Sequence, residues 1–232
     1  MKTYGQFCPV AMALEVLAER WTLLVVRELL SGSRRFNDMS RGVPQMSRTM
    51  LSQRLKRLED AGVVVRVQAT SGGGYEYCLT QAGRELEPIV MGLGEWGQRW
   101  ASTELKEEHL DASLLMWDMH RRVDLEALPP GRIVVRFDFT DSPKANRRYW
   151  LKLENGEADV CLTDPGFDVQ AVLETDVRTL TEIWMGRAKF NEALRDRRLR
   201  ISGKATIGRQ LPRWLKLNVF AGIEPAPGSP AP

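Results

Sequence analysis

Residues 47–60 read SRTMLSQRLKRLED, and their spacing decides the first half of the chain. Leu51, Leu55 and Leu58 recur at i, i+4 and i+7, the interval that lines side chains along one face of an α-helix. Ser47 stands where a hydroxyl can cap the first turn, and Gly62 follows Ala61 as the stop. At about 100° per residue, Thr49, Gln53 and Lys56 point away from the leucines, flanked by Ser52 and Arg57. Short polar side chains near the helix start, with bases further along, suit base edges and phosphates in a major groove.

Working outward, the preceding elements complete a helix-turn-helix. Val10–Arg20 carries Val10, Ala13, Leu14 and Leu17 at helical spacing, with Cys8 at the cap and Pro9 in the first turn. Trp21–Leu30 continues as a second apolar helix, stopped at Ser31-Gly32-Ser33. Arg35–Arg41 reads as a short third helix, broken from the fourth by Gly42-Val43-Pro44. Downstream, Val63–Gln68 and Tyr75–Leu79 read as strands joined by a loop with Gly72-Gly73-Gly74 at its tip, a wing behind the helices. Thr80 then opens a long helix through Trp100, carrying Leu86, Ile89, Val90, Leu93, Trp96 and Trp100, with Pro88 as a kink or a first-turn residue.

Charge agrees with this order. From Arg34 to Arg57 stand Arg34, Arg35, Arg41, Arg48, Arg54, Lys56 and Arg57 against Asp38 alone. Residues 101–232 carry twenty bases and twenty acids, so the excess is local to the helix-turn-helix and marks a polyanion footprint. Arg48, Arg54, Lys56, Arg57 and Arg66 are the expected phosphate contacts, and Thr49, Ser52 and Gln53 the expected base readers.

Cys8-Pro9-Val10, Glu19-Arg20-Trp21-Thr22-Leu23-Leu24, Arg34-Arg35-Phe36-Asn37, Met50-Leu51-Ser52-Gln53-Arg54-Leu55 and Tyr77-Cys78-Leu79-Thr80-Gln81-Ala82-Gly83-Arg84 occur in that order over residues 4–100. This half resembles the HxlR-type winged-helix regulators. The resemblance implies a homodimer on a near-palindromic operator in double-stranded DNA, joined through the first helix and the Thr80–Trp100 helix. It also implies a candidate redox sensor in Cys8, since a helix N-terminus favours the thiolate. A small, structural cysteine is the competing reading. Cys78 and Cys161 read as packing residues; three scattered cysteines make no disulfide framework and suit a reducing cytoplasm.

The second half reads as α+β. A polar linker, 101–112, precedes a helix at Asp111–Arg122, then strands at Arg132–Phe139, Arg148–Glu154, Glu157–Thr163 and Val169–Glu174. Helices return at Val177–Met185, Lys189–Arg195 and Lys204–Trp214, and the Pro-rich tail from Glu224 reads as disordered. Arg195, Arg197, Arg198 and Arg200 read as a solvated turn.

Phe137-Asp138-Phe139, Tyr149-Trp150-Leu151, Leu162-Thr163-Asp164-Pro165-Gly166, Leu180-Thr181-Glu182-Ile183-Trp184-Met185-Gly186 and Ile201-Ser202-Gly203 resemble the sterol carrier protein type 2 family over residues 112–220. That resemblance implies helices over a sheet enclosing an apolar tunnel, with Trp117, Trp150, Trp184, Met185, Phe190 and Trp214 as candidate walls. The same residues would also serve as ordinary core.

The expected architecture is a mainly α winged helix-turn-helix domain (1–100), a linker (101–112), an α+β sterol-carrier-like domain (113–222) and a tail (223–232). Enzyme chemistry finds no support: His109 and His120 lie in no metal-ligand spacing, and Ser202-Gly203-Lys204-Ala205-Thr206 lacks the leading glycine of a phosphate loop. No cofactor, metal or catalytic residue is expected, and no apolar run reaches the roughly 18 residues of a membrane span. The expected function is a cytoplasmic, ligand-responsive, dimeric transcriptional regulator with an apolar effector in its second domain. The alternatives are a thiol-switched repressor acting through Cys8, and a lipid carrier whose winged helix only dimerises.

Overall fold

Ser47 opens its helix as the sequence predicts, its Oγ accepting from the Met50 amide at 3.2 Å. In the computed structural model, which describes residues 3–70, 72–101 and 105–226, that helix belongs to the first of two units, Met1–Gly94 and Glu95–Pro232.

The first unit runs α1 (Pro9–Leu17), α2 (Thr22–Leu30), α3 (Phe36–Gly42), α4 (Arg48–Asp60), β1 (Val64–Gln68), β2 (Tyr75–Leu79), α5 (Gln81–Arg84) and α6 (Glu87–Trp96). Leu51, Leu55 and Leu58 of α4 are each 1% exposed and join Val25, Val26, Met39 and Val64 in one core. Burying such leucines is worth about 1.5–3 kcal/mol each, which holds α4 in one rotational setting. Helix α1 ends three residues before the predicted Arg20, because the chain turns a corner at Trp21, whose φ of 79° is left-handed. Arg20 stacks its guanidinium 5.1 Å from the Trp21 ring centroid.

A buried carboxylate docks α2 to α3. Glu28 is fully buried, with Arg27 Nη2 at 2.7 Å from Oε1 and Ser33 Oγ donating to Oε2 at 3.1 Å. Arg27 also donates to the Gly42 carbonyl at 2.9 Å. A Cβ on Gly42 would lie 1.9 Å from that carboxyl group, so only glycine fits there.

Strands β1 and β2 pair antiparallel from Val64↔Leu79 to Gln68↔Tyr75, and Gly72, Gly73 and Gly74 all take positive φ at the wing tip. The expected Thr80–Trp100 helix is a correction: it is broken into α5, α6 and a π-helical turn at Gly97–Ala101. Thr80 caps α5, accepting from Gly83 N at 3.2 Å. Gly83 presses so closely on the start of the hairpin that a Cβ would lie 2.3 Å from the Val63 carbonyl. Pro88 sits second in α6, where its missing N–H costs nothing.

The second unit contains α7 (Ala112–His120), β3 (Ile133–Phe139), β4 (Arg148–Glu154), β5 (Glu157–Cys161), β6 (Ala171–Thr175), α8 (Val177–Trp184), α9 (Phe190–Arg195), β7 (Leu199–Gly203) and α10 (Ala205–Trp214). Asp111 caps α7 and Asp176 caps α8, each through its carboxylate. The sheet has the order β5-β4-β3-β6-β7, with β3 and β6 parallel and the other neighbours antiparallel. Val135, Phe137, Phe139, Tyr149, Leu151 and Leu173 share one buried face with Leu180, Leu211 and Trp214 of the helices. Strand β7 is a second correction. Arg200 pairs with Glu174 across β6–β7 at 3.1 Å, so it belongs to a strand, while Arg197 occupies the turn before it. The expected disordered tail falls, from residue 227, outside the described residues.

Candidate nucleic-acid interface and ligand cavity

Rotation of α4 about its leucines settles which residues reach solvent. Thr49, Ser52, Gln53 and Lys56 are exposed, as are Arg48 and Arg57. Arg48 donates to Asn37 Oδ1 at 3.0 Å and lies 4.7 Å over the Phe36 ring, so α3 steadies it. Lys56 meets Asp60 one turn on at 2.5 Å, and this hydrogen bond is the main cause of a raised ammonium pKa. Lys56 therefore stays charged throughout the neutral range.

Arg54 has a different place from its neighbours. Its side chain is only 14% exposed, paired with Glu19, and its Nε donates to the Arg20 carbonyl at 3.0 Å. Arg57 shares Glu19 while remaining half-exposed. Glu19 is thus a clamp on the back of α4, and Arg54 serves the scaffold more than the open face. On the wing, Arg66 is exposed and lies 4.5 Å over the Tyr75 ring. The wing is tied to the helices by Tyr77 N donating to Arg34 O at 2.8 Å and by Arg35 facing Glu76 at 3.7 Å. Sequence reasoning gave no pairing role to Glu19, Asn37 or Glu76; all three are the acidic or amide partners of basic residues it had singled out.

Cys8 is the N-cap of α1, partly buried, and its side chain makes no capping bond. Along α1 and α6, Val10, Met12 and Leu14, and Ile89, Leu93 and Trp96, are 40–65% exposed.

In the second unit a cavity of about 580 Å³ opens between α8, α9 and α10, walled by Met119, Leu180, Ile183, Trp184, Phe190 and Leu215 among others. Of the six expected wall residues only Trp184 and Phe190 line it. Trp214 is fully buried with Nε1 donating to Ala127 O at 3.2 Å, Trp117 packs with its ring centroid 4.5 Å from that of His120, and Met185 caps α8. Trp150 is buried on the sheet face opposite Tyr149 and Leu151. Trp117, Trp150 and Trp214 are buried core, and Met185 is half-buried against it.

Residues 16–105 match the HxlR-like helix-turn-helix family. The uncharacterized HTH-type transcriptional regulator YvaP of Bacillus subtilis is 39% identical over 98 residues, which span 41% of this chain and 91% of that protein. The chain belongs to the HxlR-like helix-turn-helix family. A second relative, the uncharacterized HTH-type transcriptional regulator Rv3095 of Mycobacterium tuberculosis, is 43% identical over 94 residues, 39% of this chain and 58% of its own. Among solved structures, the oxidized form of the redox regulator HypR is 34% identical, covering 42% of this chain and all of its own, with a TM-score of 0.39. The HxlR-like match takes in α2 to α6 and the whole exposed face of α4. No helix among the described residues is long and apolar enough to cross a membrane.

Proposed function

We propose that this HxlR-type transcriptional regulator acts as a dimer on double-stranded DNA and responds to an apolar small molecule held in its second unit. The observation that carries the DNA half is the partition of α4: three leucines fully inward, Thr49, Ser52, Gln53 and Lys56 outward. In this reading Thr49, Ser52 and Gln53 meet base edges, and Arg48, Lys56, Arg57 and the wing's Arg66 meet phosphates. Arg54 contributes by holding α4 to the α1–α2 corner. The exposed apolar faces of α1 and α6 support a homodimer, whose two reading helices would enter half-sites about 34 Å apart. The apolar cavity beside Trp184 and Phe190 supports an effector site in a sterol-carrier-like domain. To act, such an effector binds the DNA-competent and incompetent states with different affinities.

Capture of bound fragments from genomic DNA, followed by anisotropy titration with wild type and Gln53→Ala, tests the reading. A shared inverted repeat is expected, with the variant losing discrimination at one position per half-site by about 1–3 kcal/mol. Equal binding of wild type to all fragments at every salt concentration would leave α4 with no reading role and favour a carrier whose winged helix only dimerises.

A thiol-switched repressor is the second reading, favoured by the place of Cys8 at the start of α1. Oxidant treatment that releases DNA from wild type but not from Cys8→Ser would select it over ligand sensing.

A further inference from the structure

Four strands of the second sheet end, on one side, in a row of alternating charge. Their register sets Arg148, Asp138, Glu174 and Arg200 abreast across β4, β3, β6 and β7. With neighbouring strands about 4.8 Å apart, the two outer arginines stand about 14 Å from one another. The inner carboxylates are already engaged. Asp138 accepts two hydrogen bonds from Arg136, each of 2.8 Å, and Glu174 accepts from Arg200 at 3.1 Å. Arg148 reaches Asp138 only at 3.8 Å.

The connections that leave this row add further bases. Lys144 and Arg147 lie between β3 and β4, and Arg195, Arg197 and Arg198 lie between the end of α9 and β7; all five are exposed. Among the described residues, Lys144, Arg147 and Arg197 have no carboxylate within 4.0 Å. The acids beside them serve the fold. Asp141 accepts from the Val177 amide at 3.1 Å, and Asp176 caps α8 through the Thr179 amide at 2.7 Å. Asp196 is shared by Arg195 at 3.2 Å and Arg198 at 4.0 Å. Residues 101–232 carry equal numbers of bases and acids, so this edge is a positive pole on a balanced stretch of chain.

We propose that this edge is a second contact for duplex DNA, its cations taking backbone phosphates while α4 reads bases. It rests on the DNA-binding reading of the first unit and adds a sequence-independent site in the second. A duplex carries one negative charge per about 1.7 Å of axis, so an open line of cations meets several phosphates at once. The guanidinium fork matches a phosphate through two parallel hydrogen bonds. Neither connection exposes a large apolar side chain of the kind a membrane-surface site inserts. Covalent linkage to a unit already on DNA raises the local concentration of phosphate, so weak contacts suffice.

Anisotropy of the full chain on a mixed-sequence duplex of about 40 base pairs, from about 0.05 to 0.2 M salt, tests this. The Arg147→Gln, Arg197→Gln double variant, shown folded by circular dichroism, is expected to bind about tenfold more weakly at the lower salt. Its slope of log K should flatten by about one unit per arginine removed from each bound chain. The Lys204→Gln, Arg209→Gln variant makes the same charge change at exposed positions beyond the far end of β7, and should keep the wild-type slope. An unchanged slope in the Arg147, Arg197 variant, with Lys56→Ala still lowering it, overturns the second contact and leaves α4 its role. An equal fall in both double variants reduces the effect to net charge and overturns it too. So does loss of binding to phosphatidylserine vesicles in the Arg147, Arg197 variant while its DNA slope stays unchanged, which gives the edge to a membrane. If wild type does not bind the duplex, the DNA reading itself fails, and this inference with it.

Discussion

At the scale of single residues, α4 divides into side chains that touch solvent and side chains that hold others in place. Lys56 is the clearest of the first kind, exposed and charged, with Asp60 orienting its ammonium. Lys56→Ala should weaken binding to every duplex and lower the salt slope of log K by about one unit. An anisotropy series from low to moderate salt measures this, and an unchanged slope removes Lys56 from the phosphate contacts. The leucine stripe and the outward polar residues were legible because both follow from spacing within one helix. The role of Arg54 was not, since its partners Glu19 and Arg20 lie more than thirty positions away and no local pattern reports them. Tyr149 shows the same division in the second unit. It is 1% exposed, its hydroxyl 2.7 Å from Ser113 Oγ, and burial is the main cause of a pKa above the usual 10.0. A raised pKa means that the folded state keeps its proton longer than the unfolded chain. The stability this supplies is whole below about pH 10 and is lost as pH climbs towards the folded value. Tyr149→Phe should therefore flatten the alkaline decline of stability, while costing about 1 kcal/mol at neutral pH through the abandoned Ser113 hydroxyl. Urea midpoints from pH 7 to 11 check both parts; parallel curves for the two proteins would refute the linkage.

Elements were predicted best where a cap and a periodic stripe coincide. Helices α4, α7 and α8 begin within a residue of their expected starts, because Ser47, Asp111 and Asp176 each accept from the first-turn amides. The interruption between α5 and α6 escaped notice because its cause is tertiary. Gly83 closes on the Val63 carbonyl, a contact between a helix and the start of a hairpin that periodicity does not encode. Gly83→Ala should accordingly destabilise the first unit by about 1–3 kcal/mol, despite the better helix propensity of alanine. Denaturation followed by circular dichroism would show it; a more stable variant would mean that propensity, not packing, governs this turn. Strand β7 was hidden for a complementary reason. Arg198 and Arg200 suggested a solvated turn, yet Arg200 lies on the polar face of an edge strand whose Leu199 faces the core.

On the scale of the whole molecule, the order of charges along the chain marked a localised basic stretch, but composition could not tell wall from core. Six aromatic or methionine residues were expected around a ligand, and three of them, Trp117, Trp150 and Trp214, are buried in the core. A side chain's hydrophobicity sets that it leaves water, not whether a void lies beside it. The proposed association of two copies is a molecular-scale property and would use the exposed apolar residues of α1 and α6. Ile89 and Leu93 are each 50% exposed one turn apart. Replacing both by glutamate should leave the fold intact, yield a monomer in sedimentation, and reduce operator affinity about a hundredfold through lost bivalency. A dimer of unchanged mass would place the contact elsewhere.

The corner at Ala18–Trp21 links these scales. Four residues separate α1 from α2, and one of them, Trp21, sits in a backbone region that costs an aromatic residue about 1–3 kcal/mol. The same corner supplies the Glu19 carboxylate and the Arg20 carbonyl that grip α4. In the proposed dimer it would act as a crank, passing a swing of the N-terminal arm to α4 through Glu19 and Arg20 without any message having to cross the oily interior. On that reading, how two subunits clasp one another and how firmly they hold a promoter would become a single mechanical variable.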